Sequence, residues 1–205
     1  MIRTLLLLSL ALPVPAAAGP LSDLLMAPGL FDDAPAGSVV AYGEERAVPG
    51  GEEVTVKAVS GGELRLEAVD GADGRELRLV QVAGDAVTPV GTFPTGVANP
   101  VLLHFLETSV QVMAEATGGS PYYIRNRIRD ALVASDLGAV EGAAREATLT
   151  PFANDPNRPR MGGFGDLAIQ LRFDPDAPSR ILELSADTAR AGSGYHEGLA
   201  LIGED

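Results

Sequence analysis

The apolar residues of this chain change their spacing twice along the sequence, and this change restricts the folds that the chain can adopt. Residues 38–83 hold short segments in which apolar and polar residues alternate, separated by turns that contain glycine. Alternation of this kind predicts β-strands with one buried face, and short turns make consecutive strands antiparallel neighbours. We therefore predict a four-stranded β-meander over residues 38–83, with its strands in SVVAYGEERAV, EVTVKAV, ELRLEAV and RELRLVQVA.

Two helices are predicted after the meander, over residues 100–117 and 120–137. Asn99-Pro100 and Ser120-Pro121 each place an N-cap residue before a proline at the first helical position, and glycine follows both segments. In the first helix the polar residues occupy one narrow stripe, whereas an ordinary surface helix needs an apolar arc of only about 100°. We therefore expect this helix to be the more buried of the two, in the trough of a curved sheet. The stripe consists of His104, Glu107, Thr108, Gln111 and Glu115, and we interpret it as solvated, with His104 as a histidine on the helix surface.

Alternating segments return after the helices and predict β-strands over residues 145–203. They are REATLTPF, DLAIQLRFD, SRILELSAD and YHEGLALIG. The predicted fold class is α+β: a curved antiparallel β-sheet of about seven or eight strands, open like half a barrel, wraps an inserted pair of α-helices. This layout is similar to that of periplasmic lipoprotein and lipid carriers with an incomplete barrel and a helical lid. The similarity is one of layout without a shared motif, and layout alone does not establish a function.

The first residues of the chain predict export. Arg3 precedes the apolar run Leu5–Leu12, and Ala16 and Ala18 occupy the small-residue positions that precede a cleavage site. The run is shorter than the ~20 residues of a membrane-spanning helix. We predict signal-peptide cleavage near Ala18/Gly19 and a periplasmic or secreted mature chain that has no transmembrane segment.

The predicted domain organisation follows from these segments. Residues 1–18 form the signal peptide, residues 19–37 an N-terminal arm or short helix, and residues 38–205 a single α+β domain. With 205 residues, the chain is long enough to bury one core of ordinary size.

The charge of the chain excludes one class of partner. It carries 28 acidic against 15 basic residues, a formal net charge of -13. Such a charge repels nucleic acid, which we exclude as a partner. Four glutamates, Glu44, Glu45, Glu52 and Glu53, flank the first predicted hairpin. We interpret them as charges at strand edges or hairpin tips that discourage pairing between sheet edges.

Neither a cofactor nor a metal site is predicted. The chain has two histidines and no cysteine, and His104 with Glu107 supplies fewer than the three protein ligands that catalytic zinc sites use. The nucleophile motifs G-x-S-x-G and S-x-x-K are absent. An enzyme of unknown type is therefore the third choice among the function classes below.

Positive charge is concentrated in the second predicted helix, in the stretch PYYIRNRIR. Tyr122, Arg125 and Arg129 could offer a cationic, partly aromatic surface to a phosphate, a carboxylate or an acidic partner. The alternative, which the surplus of carboxylates favours, is that these arginines pair with the protein's own acidic side chains. We expect Arg127 to pair with Asp130 on its own helix.

Two further groups of residues are candidates for binding. The loop ANDPNRPRMGGFG is interpreted as a mobile flap that carries Arg158, Arg160, Met161 and Phe164 over an opening. The apolar side of the first helix would line a cavity against the sheet, with Leu102, Phe105 and Leu106 as its lining.

These features predict an exported, non-catalytic protein that binds its ligand or partner between sheet and helices. The ligand would be an apolar or anionic, lipid-like small molecule, and the alternative occupant is an envelope protein. A structural or assembly module that acts through surface contacts and has a filled core is the second function class. A cavity lined by Leu102, Phe105 and Leu106 would distinguish the first class from the second.

Overall fold

The structure, a computed structural model, describes residues 20–49, 54–72, 74–135, 138–139, 144–174, 176–188 and 194–204. The predicted signal peptide and two of the four glutamates of the first hairpin, Glu52 and Glu53, lie outside these ranges. Among the helices within them, none is long and apolar enough to cross a membrane.

The described chain alternates between strands and helices in the order that the sequence predicts. Its helices are α1 (Pro20–Leu25), α2 (Pro100–Thr117) and α3 (Pro121–Ala134). Its strands are β1 (Val39–Ala47), β2 (Val59–Gly71), β3 (Gly74–Ala83), β4 (Ala86–Pro94), β5 (Gly138–Ala139), β6 (Arg145–Leu149), β7 (Ala168–Phe173), β8 (Ile181–Asp187) and β9 (His196–Glu204). Short 3-10 turns occupy Arg158–Arg160 and Gly162–Asp166.

All described strands belong to one antiparallel sheet with the order β4-β3-β2-β1-β9-β8-β7-β6-β5. Two meanders, β1 to β4 and β5 to β9, meet where β1 pairs with β9. The sheet is curved and does not close into a barrel, because β4 and β5 form its two edges. The predicted α+β class, with a curved antiparallel sheet and an inserted pair of helices, is confirmed.

The first meander differs from the prediction at the second predicted strand and by one additional strand at its end, whereas the predicted strands ELRLEAV and RELRLVQVA are present as β2 and β3. Residues 54–56 of the predicted strand EVTVKAV form a bend, and β2 begins only at Val59. The Thr55 amide donates a hydrogen bond to the Glu115 carboxylate on α2 at 2.7 Å, so this segment packs on a helix instead of on a strand. The fourth strand is β4, which was not predicted because it contains two prolines and no polar alternation.

The core is one continuous apolar cluster between the sheet and the helices. Ten residues of α2 are buried, against three of α3, which confirms that α2 is the more buried helix. Helix α1 adds Leu21 and Leu25, both without exposed surface. This cluster therefore fills the space between α2 and the sheet over most of the length of the helix.

Capping fixes both ends of α2. The Asn99 side chain accepts hydrogen bonds from the amides of Val101 and Leu102, and its amide group donates to the Ser179 carbonyl at 3.0 Å. The buried N-cap thus attaches the helix to the loop between β7 and β8. At the other end, Gly118 adopts φ 65, a left-handed conformation that ends the helix and lets α3 begin three residues later.

Candidate functional site

An open cleft lies at the bend between α2 and α3, next to the 3-10 turns. Its two parts have volumes of ≈ 420 Å³ and ≈ 370 Å³ and share Thr117, Arg160 and Met161. We name it the elbow cleft. Its larger apolar and aromatic side chains are Met113, Tyr123, Ile124, Met161, Phe164 and Tyr195. Among the described residues that line it, none carries a carboxylate.

Arg160 provides the charge of the elbow cleft. Ten other arginines of the described chain form ion pairs with carboxylates, whereas Arg160 forms none with any described residue. A guanidinium group offers five N–H donors and binds carboxylate or phosphate in a bidentate manner. The cleft therefore combines an apolar wall with an exposed cation that none of the described acidic side chains neutralises.

A buried aspartate holds the loop at the cleft against α3. Asp155 accepts hydrogen bonds from the Tyr123 hydroxyl at 2.7 Å, the Arg127 guanidinium at 2.8 Å and the Asn157 amide at 2.7 Å. Burial alone would raise the pKa of Asp155, but these hydrogen bonds and the charge of Arg127 outweigh it and lower the pKa. The loop that carries Arg160 is thus attached to the helix by an ionised carboxylate.

This aspartate corrects one prediction. Arg127 pairs with Asp155 and not with Asp130, which receives Arg129 at 3.1 Å instead. Asp155 is buried and presents both oxygens to the flank of α3, so it competes better than an exposed carboxylate on the same helix.

A second group of polar side chains lies between α2 and the sheet, and we name it the buried cluster. It consists of Glu44, Arg46, Glu197, Tyr195 and Ser109, each less than a tenth exposed. The Arg46 guanidinium contacts Glu44, and its Nε and Nη2 atoms donate to Glu197 Oε1 at 3.2 Å and 3.0 Å. The Tyr195 hydroxyl donates to Glu197 Oε2 and lies 3.1 Å from Ser109 Oγ on α2.

Strand register brings this cluster together. Arg46 on β1 stands directly opposite Glu197 on β9. Glu44 and Arg46 follow Tyr42 at intervals of two, so all three side chains share the buried face of β1. The Gln81 amide of β3 donates to the second oxygen of Glu44 at 2.6 Å. Both carboxylate oxygens of Glu44 and both of Glu197 therefore accept a hydrogen bond.

Burial changes the proton affinities in this region. It raises the pKa of Glu197 to about 7, with a contribution from the charge of Glu44 and against the opposing effects of Arg46 and Tyr195. It also raises the pKa of the Tyr195 hydroxyl well above its usual value, with Glu197 acting in the same direction. The pKa of His104 on α2 falls to about 4, because burial and the nearby Arg46 both disfavour the imidazolium form.

Two interpretations from the sequence are therefore wrong. Glu44 is not an edge charge, because strand alternation places it on the same buried face as Tyr42. His104 does not lie on a solvated stripe, since its Nε2 atom is buried and has no hydrogen-bond partner among the described residues. Glu45 is exposed as expected, and its carboxylate accepts from the Gly61 amide at 2.7 Å.

The predicted binding residues fall in three separate places. Leu102 and Phe105 are fully buried in the core, Leu106 packs against it, and none of the three lines the elbow cleft. The stretch on α3 is exposed: Tyr122 keeps 73% of its surface, Arg125 pairs with Glu107 at 2.7 Å, and Arg129 pairs with Asp130.

The loop residues reach the cleft in part. Arg160 and Phe164 line it, while Arg158 pairs with Asp166. The segment is not an open flap, because its 3-10 turns bury Met161 and Phe164. Gly162 adopts φ 57 at the start of the second turn, a left-handed conformation that glycine adopts without strain.

Another cleft, of ≈ 310 Å³, lies between Leu30 and Phe31 of the N-terminal arm and the buried face of β2 and β3. Its arginine, Arg180, pairs with Glu204 at 3.0 Å, and Asp33 also lines it. An anion would meet more negative charge here than in the elbow cleft.

Comparisons with known proteins do not add a function to this geometry. No protein-family model matches the chain, and a search of the curated proteins finds no similar sequence. Within the described ranges, histidine, aspartate and glutamate side chains do not form a group of three that could hold a metal ion. The function must therefore be argued from the elbow cleft and the buried cluster themselves.

Proposed function

We propose that this chain is an exported, non-catalytic binding protein that holds an anionic, lipid-like small molecule in the elbow cleft. One observation carries the proposal: Arg160 has no acidic partner among the described residues and faces a cleft whose described lining is free of carboxylates. In a chain with a net charge of -13, such a cation is positioned for an external anion.

The walls of the cleft suit the apolar part of the same ligand. Met113, Ile124 and Met161 form one side, and methionine side chains adapt their shape to flexible apolar chains. Each methylene group that such a ligand buries contributes about 0.8 kcal/mol. An acyl chain along this wall with its head group at Arg160 would satisfy both features of the site.

A fluorescent long-chain fatty acid and its uncharged methyl ester provide the test. We expect the wild-type protein to bind the acid more tightly, and Arg160→Ala to weaken that binding about 10- to 100-fold, the range of a charged hydrogen bond, while ester binding stays unchanged. Arg129→Ala is the matched control, because it removes an arginine that pairs with Asp130 outside the cleft. If the wild-type protein binds neither the acid nor the ester, the proposal is refuted. If Arg129→Ala weakens binding of the acid as much as Arg160→Ala does, the binding site lies on the surface of α3 instead.

The assembly module with a filled core is the second candidate function. Its supporting observation is that Leu102 and Phe105 have no exposed surface, so the side of α2 that faces the sheet offers no ligand cavity at these positions. A wild-type protein that binds neither probe but recovers the same protein partner from an envelope extract, with and without Arg160→Ala, would favour this second function.

Export is the part of the proposal that rests on the sequence. If the leader is cleaved after the small residues Ala16 and Ala18, the mature protein begins near Gly19. N-terminal sequencing of the protein recovered from the periplasm or the medium should find this start, and an intact Met1 on exported protein would contradict it.

A further inference from the structure

The buried cluster contains more negative than positive charge. Glu44 and Glu197 share one guanidinium, that of Arg46, and the side chains of all three residues are at most 5% exposed. Two ionised carboxylates beside one cation leave an unbalanced charge in a region where solvation by water is weak. Uptake of one proton would remove this imbalance without a change in packing.

We propose that the buried cluster binds one exchangeable proton on Glu197 and that Tyr195 transmits its presence to the elbow cleft. The inference does not depend on what the elbow cleft binds. It concerns a proton site and a path from that site to the cleft wall.

Hydrogen bonding decides which oxygen takes the proton. Glu197 Oε1 already accepts from two nitrogens of Arg46, whereas among the described residues the Tyr195 hydroxyl is the one donor to Oε2. The proton therefore adds to Oε2. The protonated carboxyl group then donates to the Tyr195 oxygen, and the Tyr195 hydroxyl turns to donate to Ser109, a contact in which either oxygen can be the donor.

Tyr195 connects this change to the cleft. Its hydroxyl belongs to the buried cluster, while the residue also lines the elbow cleft together with Phe164 and Met161. The rings of Tyr195 and Phe164 have centroids 5.8 Å apart. A change in the hydrogen bond at the hydroxyl end thus alters the position of a ring that forms part of the cleft wall.

The groups that face Glu197 come from several elements. Strand β1 contributes Glu44 and Arg46, α2 contributes Ser109 and the nearby His104, and Tyr195 precedes β9. Gln81 of β3 binds Glu44, and the Lys57 carbonyl accepts from Arg46 at 3.3 Å. Near neutral pH the lowered pKa of His104 keeps it uncharged and the raised pKa of Tyr195 keeps it protonated. The pKa of Glu197, raised by burial to about 7, lies in that range.

The sign of the effect on stability follows from linkage. The folded protein holds a proton on Glu197 up to about pH 7, whereas an unfolded glutamate loses it near pH 4.5. Between these values the folded state binds more protons, so the contribution of Glu197 to stability is present at low pH and is lost as the pH rises through about 7.

Methionine methyl NMR tests the path to the cleft. Met161 lines the elbow cleft together with Tyr195, and Met26, the residue that follows α1, serves as the reference. All samples carry His196→Gln, so that His104 is the one histidine that remains in the chain. We expect the Met161 resonance to shift with a midpoint near pH 7 while that of Met26 stays constant, and the urea midpoint of unfolding to fall as the pH rises from 6 to 8.

Three variants separate the proton site from the path. Glu197→Gln should abolish both the Met161 shift and the pH dependence of the urea midpoint over this range. Glu44→Gln should move the Met161 midpoint to lower pH, because it removes a negative charge that raises the proton affinity. Tyr195→Phe should keep the pH dependence of stability and lose the Met161 shift.

Several outcomes would overturn the inference. If the Met161 resonance does not shift with pH in the protein with an unaltered buried cluster, the inference is contradicted, irrespective of the results for the three variants. A shift that persists in Glu197→Gln places the proton elsewhere, and one that persists in Tyr195→Phe excludes the path through the hydroxyl group. If Glu197→Gln does not fold, an unchanged midpoint in Glu44→Gln rejects the cluster as the proton site.

Discussion

Arg46 is the cation on which two buried carboxylates depend. Replacing it with methionine, an apolar side chain of similar length, leaves Glu44 and Glu197 facing each other without a counter-charge. We expect Arg46→Met to reduce the free energy of unfolding by about 3 to 5 kcal/mol near pH 8, the cost of breaking a buried pair. The loss should be smaller near pH 5.5, because carboxylates without a cation take up protons more readily.

Chemical denaturation at the two pH values measures this difference. Arg129→Ala serves as the control, since Arg129 and Asp130 are both more than half exposed and such pairs contribute about 1 kcal/mol or less. A loss in Arg46→Met that is equal at both pH values would show that the two carboxylates are not the reason for it.

His104 should affect stability in the acidic range. Its pKa in the folded protein is about 4, below the value of 6.5 for an ordinary imidazole, so the unfolded chain takes up a proton first as the pH falls. Its contribution to stability is therefore present above about pH 6.5 and is lost towards pH 4, with a range of at most roughly 3 kcal/mol. In this interval Glu197 acts in the opposite direction.

The variant His104→Leu should lose less stability than the wild type on acidification from pH 6.5 to 4. Urea unfolding across this range measures the difference, and His196→Leu is the matched control, because His196 lies on an exposed position of β9. If both variants follow the wild-type curve, His104 is not held neutral by its surroundings.

The buried cluster was missed in the sequence because charged residues on a strand usually face water. GEERAV has the composition of a hairpin tip, and Glu44 was assigned to one. The alternation of side chains along each strand was a better signal, because residues two apart lie on the same face. Glu44 and Arg46 share the face of Tyr42, and Glu197 shares the face of Tyr195 and Leu199. Opposite charges on the apolar faces of two strands are compatible with pairing inside the sheet.

At the scale of elements, α2 is the helix whose packing can be tested most directly. Phe105 is fully buried in the core, whereas Gln111 on the same helix is exposed. We expect Phe105→Ala to lower the free energy of unfolding by about 3 to 5 kcal/mol, through lost burial and the cavity left behind. Gln111→Ala should change it by less than about 0.5 kcal/mol. Thermal or urea unfolding measures both changes in the free energy of unfolding. A decrease below about 1 kcal/mol for Phe105→Ala would contradict the position of α2 against the sheet.

Helices were easier to predict than the strands of the first meander. Asn99-Pro100 and Gly118 mark both ends of α2 in local chemistry, and its start and end agree with the prediction. In EVTVKAV, the alternation of apolar and polar residues also fits a segment that packs against a helix. The hydrogen bond between Thr55 and Glu115, which are distant in sequence, determines that this segment is a bend and not a strand. For β4, Pro89 and Pro94 are tolerated because the strand is at the edge of the sheet.

For the whole molecule, the change of spacing was sufficient to predict the fold class but not the elbow cleft. The cleft depends on how residues 113–124 meet residues 157–164 and Tyr195, which are far apart in the sequence. Local composition did place Arg160 and Phe164 near an opening, because glycine and proline marked the loop. It could not show that Arg158, two residues away, already has a partner in Asp166.

The pairing of β1 with β9 also determines how the chain reaches this structure. Each meander forms from neighbouring strands, but Arg46 and Glu197 are 151 positions apart, so the contact between the meanders requires the closure of a very long loop. We therefore expect refolding in milliseconds to seconds, with the amides that bond between β1 and β9 protected together in pulsed hydrogen exchange and later than those of the β2–β3 and β7–β8 hairpins. Protection of the amides between β1 and β9 before those of the two hairpins would contradict this order. If the chain is exported as we propose, slow closure would keep it open enough to cross a membrane as an unfolded polypeptide.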